Sequence, residues 1–200
     1  TINGGTTIPN GAIPTSLFQL PNMNTLTISS TSLSGPIPDT FDKMPALKTL
    51  SLQSNPQLGK TIPSSIGSIA LNNLIINGQG ISGTIPDFIG NSNILQKSLQ
   101  TLELSSNALT GMIPASLMQF SALKSLVLGI NQLSGSIPTT IGSAKFQKTI
   151  NQLDFGNNTL TGTIPDSLSQ LPNLQFLYLG NNQFSGQIPT SLATLTNLKE

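Results

Sequence analysis

Glu103 and Asp154 are the residues of this sequence whose type and spacing could support chemistry. Each stands between two large apolar residues, in Leu-Glu-Leu and Leu-Asp-Phe, a pattern that predicts a short strand with the acid facing outward. If the two strands lie two places apart in a parallel sheet, the carboxyl groups are roughly 10 Å apart. That separation is near the upper end of the range for an inverting glycosidase pair.

Other features of the sequence argue against catalysis. The chain has no His and no Cys, so the commonest general base and the most reactive nucleophile are both missing. An open, gently curved sheet also offers nothing that would desolvate a carboxyl group. We therefore expect a non-enzymatic protein with no catalytic residues, no cofactor and no metal site.

The overall charge narrows the range of partners. The net charge is +1, charged residues make up 8% of the chain, and all of its basic residues are Lys. A nearly neutral chain without Arg has no field or fork-shaped donor to attract nucleic acid or anionic lipid. No apolar run reaches the length needed to cross a membrane. We expect neither a nucleic-acid partner nor membrane insertion in this segment.

An internal repeat must position the two acids. An Ile-Pro pair that follows a Gly recurs along the chain at intervals of 23 to 28 residues. Its isoleucines are Ile13, Ile37, Ile62, Ile85, Ile113, Ile137, Ile164 and Ile188. Other positions keep the same phase and give the template LxLxxNxLxGxIP, as in residues 102–114.

Each position of the template has a physical role. The LxL pair predicts a strand with two leucines inward, and successive strands are expected to stack into a parallel sheet. The Gly allows a tight bend, and the Pro fixes φ and ends strand pairing. The Asn can satisfy backbone groups at the turn, which predicts an asparagine ladder. Its members are Asn55, Asn107, Asn131, Asn158 and Asn182, with Thr31 and Gln79 as polar substitutes.

These patterns predict an α/β repeat fold, a right-handed solenoid of about eight repeats with a parallel concave sheet and short convex helical or 3-10 turns. Residues 1–200 are interpreted as a single domain. Extra residues in 90–99 and 142–150 are expected to bulge as convex or lateral loops.

The motif LxxLxLxxNxLSGxIP resembles the leucine-rich repeats of plant extracellular proteins, namely receptor-kinase ectodomains and polygalacturonase-inhibiting proteins. Residues 81–88 look especially like the inhibitor group. The resemblance implies a secreted or cell-surface location, N-glycosylation, a second small sheet near the LxG segment, and recognition of a protein or a cell-wall glycan through the concave face. The concave positions carry no Lys, which departs from a basic inhibitor-like surface.

The outward strand residues are the candidate contacts of a ligand. Phe176 and Tyr178 fall together near the C-terminal end, and Tyr is a favoured interface anchor. The alternative interpretation is an ordinary solvent-facing strand. The candidate ligand-binding residues are Ile75, Glu103, Val127, Asp154, Phe176 and Tyr178.

Two further surface features have both a functional interpretation and one that follows from the repeat consensus or surface composition alone. Asn157 begins the sequon Asn-Asn-Thr and is a candidate glycan acceptor, although the ladder consensus alone could produce the motif. Thr84 and Thr163 occupy the variable position of GxIP and suggest an ice-binding array. Ala12, Pro36, Met112, Ser136 and Gln187 interrupt that array, so ice binding is a remote alternative.

The ends of the sequence lack the polar caps that solenoids need, and two explanations compete. The chain is either an excised part of a longer ectodomain, or its ends stack on further copies of itself. A second copy placed head to tail would continue the repeat at a spacing of 25, within the observed range. Such a contact does not close and would build a filament. A structural filament subunit is therefore the alternative to a recognition module.

Overall fold

The computed structural model describes residues 2–3 and 11–200. Ile2, the N-terminal residue of the first strand, belongs to the described part, and the side chains of residues 1–10 are outside it. Short strands alternate with single helical turns, as the predicted repeat fold requires. The strands are β1 Ile2–Asn3, β2 Thr25–Ser29, β3 Thr49–Gln53, β4 Asn73–Asn77, β5 Ser82–Thr84, β6 Thr101–Glu103, β7 Ala108–Gly111, β8 Ser125–Val127, β9 Gln132–Gly135, β10 Gln152–Asp154, β11 Thr159–Leu160 and β12 Phe176–Tyr178.

Two parallel sheets run side by side along the described solenoid. The larger has the order β1-β2-β3-β4-β6-β8-β10-β12, and the smaller has the order β11-β9-β7-β5. Each LxL strand pairs with its equivalent in the next repeat, because only neighbouring repeats can satisfy its backbone groups and bury its leucines. The predicted fold class is confirmed, and a second small sheet lies where the LxG segments are.

Helical turns form the side opposite the larger sheet. The α-helices are α1 Asp87–Asn91 and α2 Leu95–Ser98. The 3-10 helices are Thr15–Gln19, Phe41–Lys43, Ser64–Ser68, Ala115–Gln119, Thr139–Gly142, Phe146–Lys148, Asp166–Gln170 and Thr190–Thr194. Most begin directly after the Pro of the Ile-Pro pair, since Pro has no N–H to leave unpaired at a helix start. None of the described helices is long and apolar enough to cross a membrane.

The two insertions differ from the expected bulging loops. The first forms α2, and the second contains the 3-10 helix Phe146–Lys148. Leu95 and Phe146 are fully buried, so each insertion adds an apolar anchor to the core. Their lysines Lys97, Lys145 and Lys148 remain exposed. The predicted loops were therefore wrong in conformation, because the buried apolar residues within them pull the backbone onto the core.

The asparagines at the turns bridge adjacent repeats with their side chains. Asn107 Nδ2 donates to the carbonyls of Ile76 and Leu104 at 2.6 and 3.0 Å, while its Oδ1 accepts from the N–H of Gln79 and of Ile81, each at 3.1 Å. Asn55, Asn131, Asn158 and Asn182 make equivalent bonds. Each amide thus satisfies backbone groups that the strand ends leave unpaired.

The two substitutes in the ladder differ from each other. The Thr31 hydroxyl donates to Asn55 Oδ1 at 2.6 Å and accepts the N–H of Leu33, so Thr31 takes the place of an asparagine. Gln79 is fully buried, yet neither atom of its side-chain amide has a hydrogen-bond partner within the described part of the chain. Gln79 is therefore not an equivalent substitute, because its side chain is one methylene longer and its amide does not meet the turn carbonyls.

Candidate functional site

The outward residues of the larger sheet fall into rows, one residue per strand. The pairing register aligns the central row from β2 to β12, and neighbouring members are about 4.8 Å apart. The row is Thr27, Ser51, Ile75, Glu103, Val127, Asp154 and Tyr178. A flanking row lies two positions earlier on each strand and contains Thr25, Thr49, Asn73, Thr101, Ser125, Gln152 and Phe176. Phe176 is therefore next to Tyr178 on the same face of β12.

The structure brings some of the candidate residues together and separates others. Val127, Asp154 and Tyr178 lie on the adjacent strands β8, β10 and β12, and all three are partly exposed. Glu103 is two strands from Asp154, as its spacing predicted, and Ile75 is one strand further away. We therefore treat Val127, Asp154, Phe176 and Tyr178 as the candidate site, with Glu103 at its border.

A hydrogen bond connects the Tyr178 hydroxyl to an acidic neighbour. The Tyr178 hydroxyl donates to Glu200 Oε2 at 3.2 Å. Partial burial of the ring, the charge of Glu200 and the charge of Asp154 all raise the pKa of the Tyr178 hydroxyl above its ordinary value. The Lys199 ammonium lies 5.7 Å from the centre of the Phe176 ring, in a cation–π contact. The aromatic pair is thus surrounded by charge of both signs.

A row of glycines borders Asp154 and was not identified from the sequence. Two positions after the central row, the N-terminal strands carry Ser29, Gln53 and Asn77, whereas later repeats carry Gly129, Gly156 and Gly180. The Asp154 carboxylate occupies the freed space, since a Cβ on Gly129 would lie 2.7 Å from its Oδ1. Its Oδ1 accepts the N–H of Gly156 at 2.9 Å. The change to Gly at one fixed position of the repeat is the signal that could have revealed this row.

We define the glycine trough as the depression lined by Asp154, Gly156, Asn157, Tyr178, Gly180 and Asn181. Its volume is about 340 Å³. Larger depressions of about 510 and 460 Å³ lie on another side, between the Ile-Pro segments of successive repeats. They recur at equivalent places in different repeats, so they follow from the repeat geometry and do not mark a specific site. The glycine trough is the depression that adjoins the candidate residues.

The backbone beside the trough contains a strained residue. Ile130 has a φ of 55°, in the left-handed region that a β-branched residue rarely adopts. Its side chain is 57% exposed. Equivalent turns use small or amide residues, namely Ser30, Ser54, Gly78, Ser106, Asn157 and Asn181. An exposed apolar residue is therefore held at this position at a conformational cost.

Asn157 lies at the rim of the trough with its side chain exposed. Its Oδ1 accepts a hydrogen bond from Asn181 Nδ2 at 2.8 Å. The next residue, Asn158, is buried in the ladder. The two adjacent asparagines thus face different environments, and only Asn157 presents its amide to solvent.

No cluster of three or more potential metal ligands was found among the described residues, 2–3 and 11–200. Glu103 and Asp154 are partly exposed and bond to a neighbouring amide or N–H group, not to each other. Their separation leaves the pair at the outer limit of a glycosidase geometry, on a face without the enclosure that such chemistry requires. The arrangement is suited to contact with a ligand along the sheet.

The chain is similar in sequence and structure to known leucine-rich-repeat proteins. Family models described as leucine rich repeat match residues 132–184 and 98–120. No curated protein matches the chain. The structure of a TDR receptor is 31% identical, with a TM-score of 0.87, over 95% of this chain and 32% of that one. The Arabidopsis receptor kinase HAESA, solved with the peptide hormone IDA and the co-receptor SERK1, is 38% identical, with a TM-score of 0.84, over 95% and 31%.

A plant ice-binding protein is also similar, at 27% identity and a TM-score of 0.62, over 85% of this chain and 68% of that one. The chain spans about a third of the length of the two receptor chains it matches.

Proposed function

We propose, from the premise that this chain is a leucine-rich-repeat protein of the plant extracellular type, that it is a non-enzymatic recognition module for an extended peptide or protein segment. The segment binds the C-terminal part of the concave face, over Val127, Asp154, Phe176 and Tyr178. The observation that carries this proposal is the glycine trough beside a partly exposed aromatic pair. Similarity to ectodomains solved with peptide hormones supports it.

Two features of the site are suited to binding a peptide: the aromatic side chains and the exposed glycine backbone. An aromatic side chain contributes a large contact area at low entropic cost, and its loss from an interface costs about 1–2 kcal/mol or more. Gly180 lets a ligand backbone approach the sheet, because it is exposed and nothing lies within 4 Å of the position that its Cβ would take. Such a face binds a chain that lies across the strands. The proposed location is extracellular, as for the receptor ectodomains that it resembles.

Selection from a random peptide library against the full chain tests the proposal. Peptides bound to the candidate site should bind Tyr178→Ala roughly tenfold or more weakly, since an aromatic anchor is lost. Thr27→Ala, on the same row in β2, is the matched control and should leave their affinity unchanged. If the selected peptides bind both variants like the parent chain, the candidate site is not where they bind.

A glycan on Asn157 is part of the proposal. The Asn157 side chain is exposed, and Thr159 completes the sequon. Its Nδ2, the atom to which a sugar is attached, makes no hydrogen bond within the described residues. Mass spectrometry of protein secreted from plant cells, before and after enzymatic removal of N-glycans, should locate the sugar at Asn157. If all of the peptide that contains Asn157 is found without a sugar, Asn157 is not a glycosylation site.

Ice binding is a second candidate, supported by hydroxyl residues on the smaller sheet and by the similarity to a plant ice-binding protein. Thr84 pairs with Thr110, and Thr159 pairs with Ser134, so hydroxyl groups lie next to each other across strands. Met112, 69% exposed, interrupts the surface. An assay of ice recrystallisation decides this candidate, and inactivity at high protein concentration would remove it.

Head-to-tail stacking into a filament and binding of a cell-wall glycan are two further candidate functions. Light scattering and electron micrographs of concentrated protein test the filament, and long polymers would favour it. Binding to immobilised cell-wall polysaccharides, with Tyr178→Ala as the comparison, tests glycan recognition.

A further inference from the structure

The two acids of the central row keep a fixed separation because their side chains lean the same way. Glu103 Oε2 accepts a hydrogen bond from Asn77 Nδ2, at 3.1 Å, on the preceding strand of the sheet. The Asp154 carboxylate lies over Gly129, which follows the preceding strand β8 at the equivalent place in its repeat. Since both side chains tilt in the same direction by one strand, their carboxylates stay about two strand spacings, or roughly 10 Å, apart.

This separation matches one kind of extended chain. A polyproline II helix has three residues per turn and rises about 3.1 Å per residue, so residues i and i+3 lie on one face about 9 Å apart. In a β-strand, residues i and i+3 point to opposite faces, and residues i and i+2 are only about 7 Å apart. A polyproline II segment across the strands can therefore place two side chains on the two acids at once.

The chemistry of the face determines which side chains those are. The described strand residues of the central and flanking rows include acids but no basic residue. Within the described part of the chain, Glu103 Oε1 and Asp154 Oδ2 make no hydrogen bond, so each acid has a free oxygen. Val127 lies between the two acids and offers an apolar contact. Lys199 lies outside these rows, with its ammonium 5.7 Å from the centre of the Phe176 ring.

We propose that the ligand segment is a polyproline II stretch with two lysines three residues apart, one bound by Glu103 and the other by Asp154, and apolar residues between them over Val127. This inference rests on the proposed function and specifies its ligand class. Tyr178, next in the row after Asp154, receives the residue that follows the second lysine, in the way aromatic grooves bind proline-rich chains.

Two synthetic peptides of equal composition test the spacing. Pro-Lys-Pro-Pro-Lys-Pro has its lysines at i and i+3, and Pro-Lys-Pro-Lys-Pro-Pro has them at i and i+2. The first should bind about fivefold more tightly at low salt, because its two lysines project from one face of the polyproline II helix, whereas those of the second project from different faces and cannot both point at the sheet. Fluorescence anisotropy with the full chain measures both affinities, and raising the salt to physiological concentration should reduce the difference.

The decisive comparison uses protein variants. Glu103→Gln removes one of the two charges and should make the two peptides bind equally. Asp87→Asn is the matched control, since Asp87 is an exposed acid at the start of α1 on the opposite side, and should leave the preference unchanged. The inference is overturned if neither peptide binds, if the two bind equally to the parent chain, or if the preference survives in Glu103→Gln.

The proposed function fails in a different way. Library-selected peptides that are insensitive to Tyr178→Ala would remove the candidate site altogether. Selected peptides that depend on Tyr178, combined with no lysine-spacing preference, would remove only the ligand class.

Discussion

The two halves of the concave face share one framework but differ in how their polar groups are satisfied. On β3 and β4 the side chains bond to each other: Gln53 Nε2 donates to Ser51 Oγ at 2.8 Å, and Asn73 Nδ2 donates to Thr49 Oγ1 at 3.1 Å. Ser51, although it points outward, is only 4% exposed. A ligand would have to break these bonds, at a cost that its own contacts must offset.

On β8, β10 and β12 the equivalent covering side chains are replaced. Gly129 and Gly156 take the places of Gln53 and Asn77, and the partly exposed groups are Asp154, Phe176 and Tyr178. Side-chain hydrogen bonds are present here too, from Ser125 to Gln152 and from Tyr178 to Glu200, each at 3.2 Å. The difference is that no side chain covers the backbone at Gly180. Under the proposed function, recognition depends on which repeat positions lose their side chains, and not only on which gain an aromatic ring.

The largest effect should be found in the framework, and it should be equal in the two halves. Asn55→Ala and Asn158→Ala each leave several buried backbone groups unpaired, so each should lower the free energy of unfolding by about 3 kcal/mol. Denaturant titration of both variants measures this. A much smaller loss in one half would mean that the halves differ in framework as well as in surface.

An exchange at the strained turn should have opposite effects in the two halves. Ile130→Ser removes a β-branched residue from a φ of 55° and should raise the free energy of unfolding by about 1 kcal/mol. Ser54→Ile introduces the same strain in the N-terminal half and should lower it by a similar amount. Thermal unfolding of the two variants gives the comparison, and a loss of stability in both would rule out strain at Ile130.

The placement of Asp154 over the glycines predicts an energetic coupling between Asp154 and Gly129, which a double-mutant cycle can measure. A methyl group at Gly129 would collide with the Asp154 carboxylate, so Gly129→Ala should cost about 1 kcal/mol of stability. In the Asp154→Ala background the same change should cost close to nothing, because the collision is gone. Additive effects in this double-mutant cycle would show that the carboxylate does not occupy the glycine row.

The smallest effect should come from Asp39, far from the trough. Its carboxylate accepts the N–H of Ser65 at 2.7 Å and the hydroxyl of Ser64 at 3.0 Å, and the Ser65 N–H bond is the main reason that its pKa is lowered. A lowered folded-state pKa stabilises the protein above the unfolded value near 3.8, and this contribution disappears as the pH falls below it.

Because Asp39 is exposed, Asp39→Asn should cost at most about 0.5 kcal/mol at neutral pH. The cost should vanish in strongly acidic solution. Unfolding curves of parent and variant at the two pH values check this, and an equal difference at both would mean that charge is not the cause.

The sequence alone determined the repeat, the strand positions and the pairing register. The LxL spacing places Glu103 and Asp154 on the same row, because a parallel stack of equivalent strands leaves no freedom in which residues align. The ladder role of the Asn at each turn is predictable for the same reason, since its hydrogen-bond partners are backbone groups of the neighbouring repeats.

Tertiary structure decided what the repeat pattern does not encode. The helices in the insertions follow from the burial of Leu95 and Phe146, whereas the repeat pattern predicts loops in those segments. The lean of Asp154 over Gly129 depends on side-chain packing between repeats, as does the isolated amide of buried Gln79. Strand alignment follows from backbone periodicity, which a sequence displays, whereas side-chain direction depends on the shape of the space that neighbouring repeats leave open.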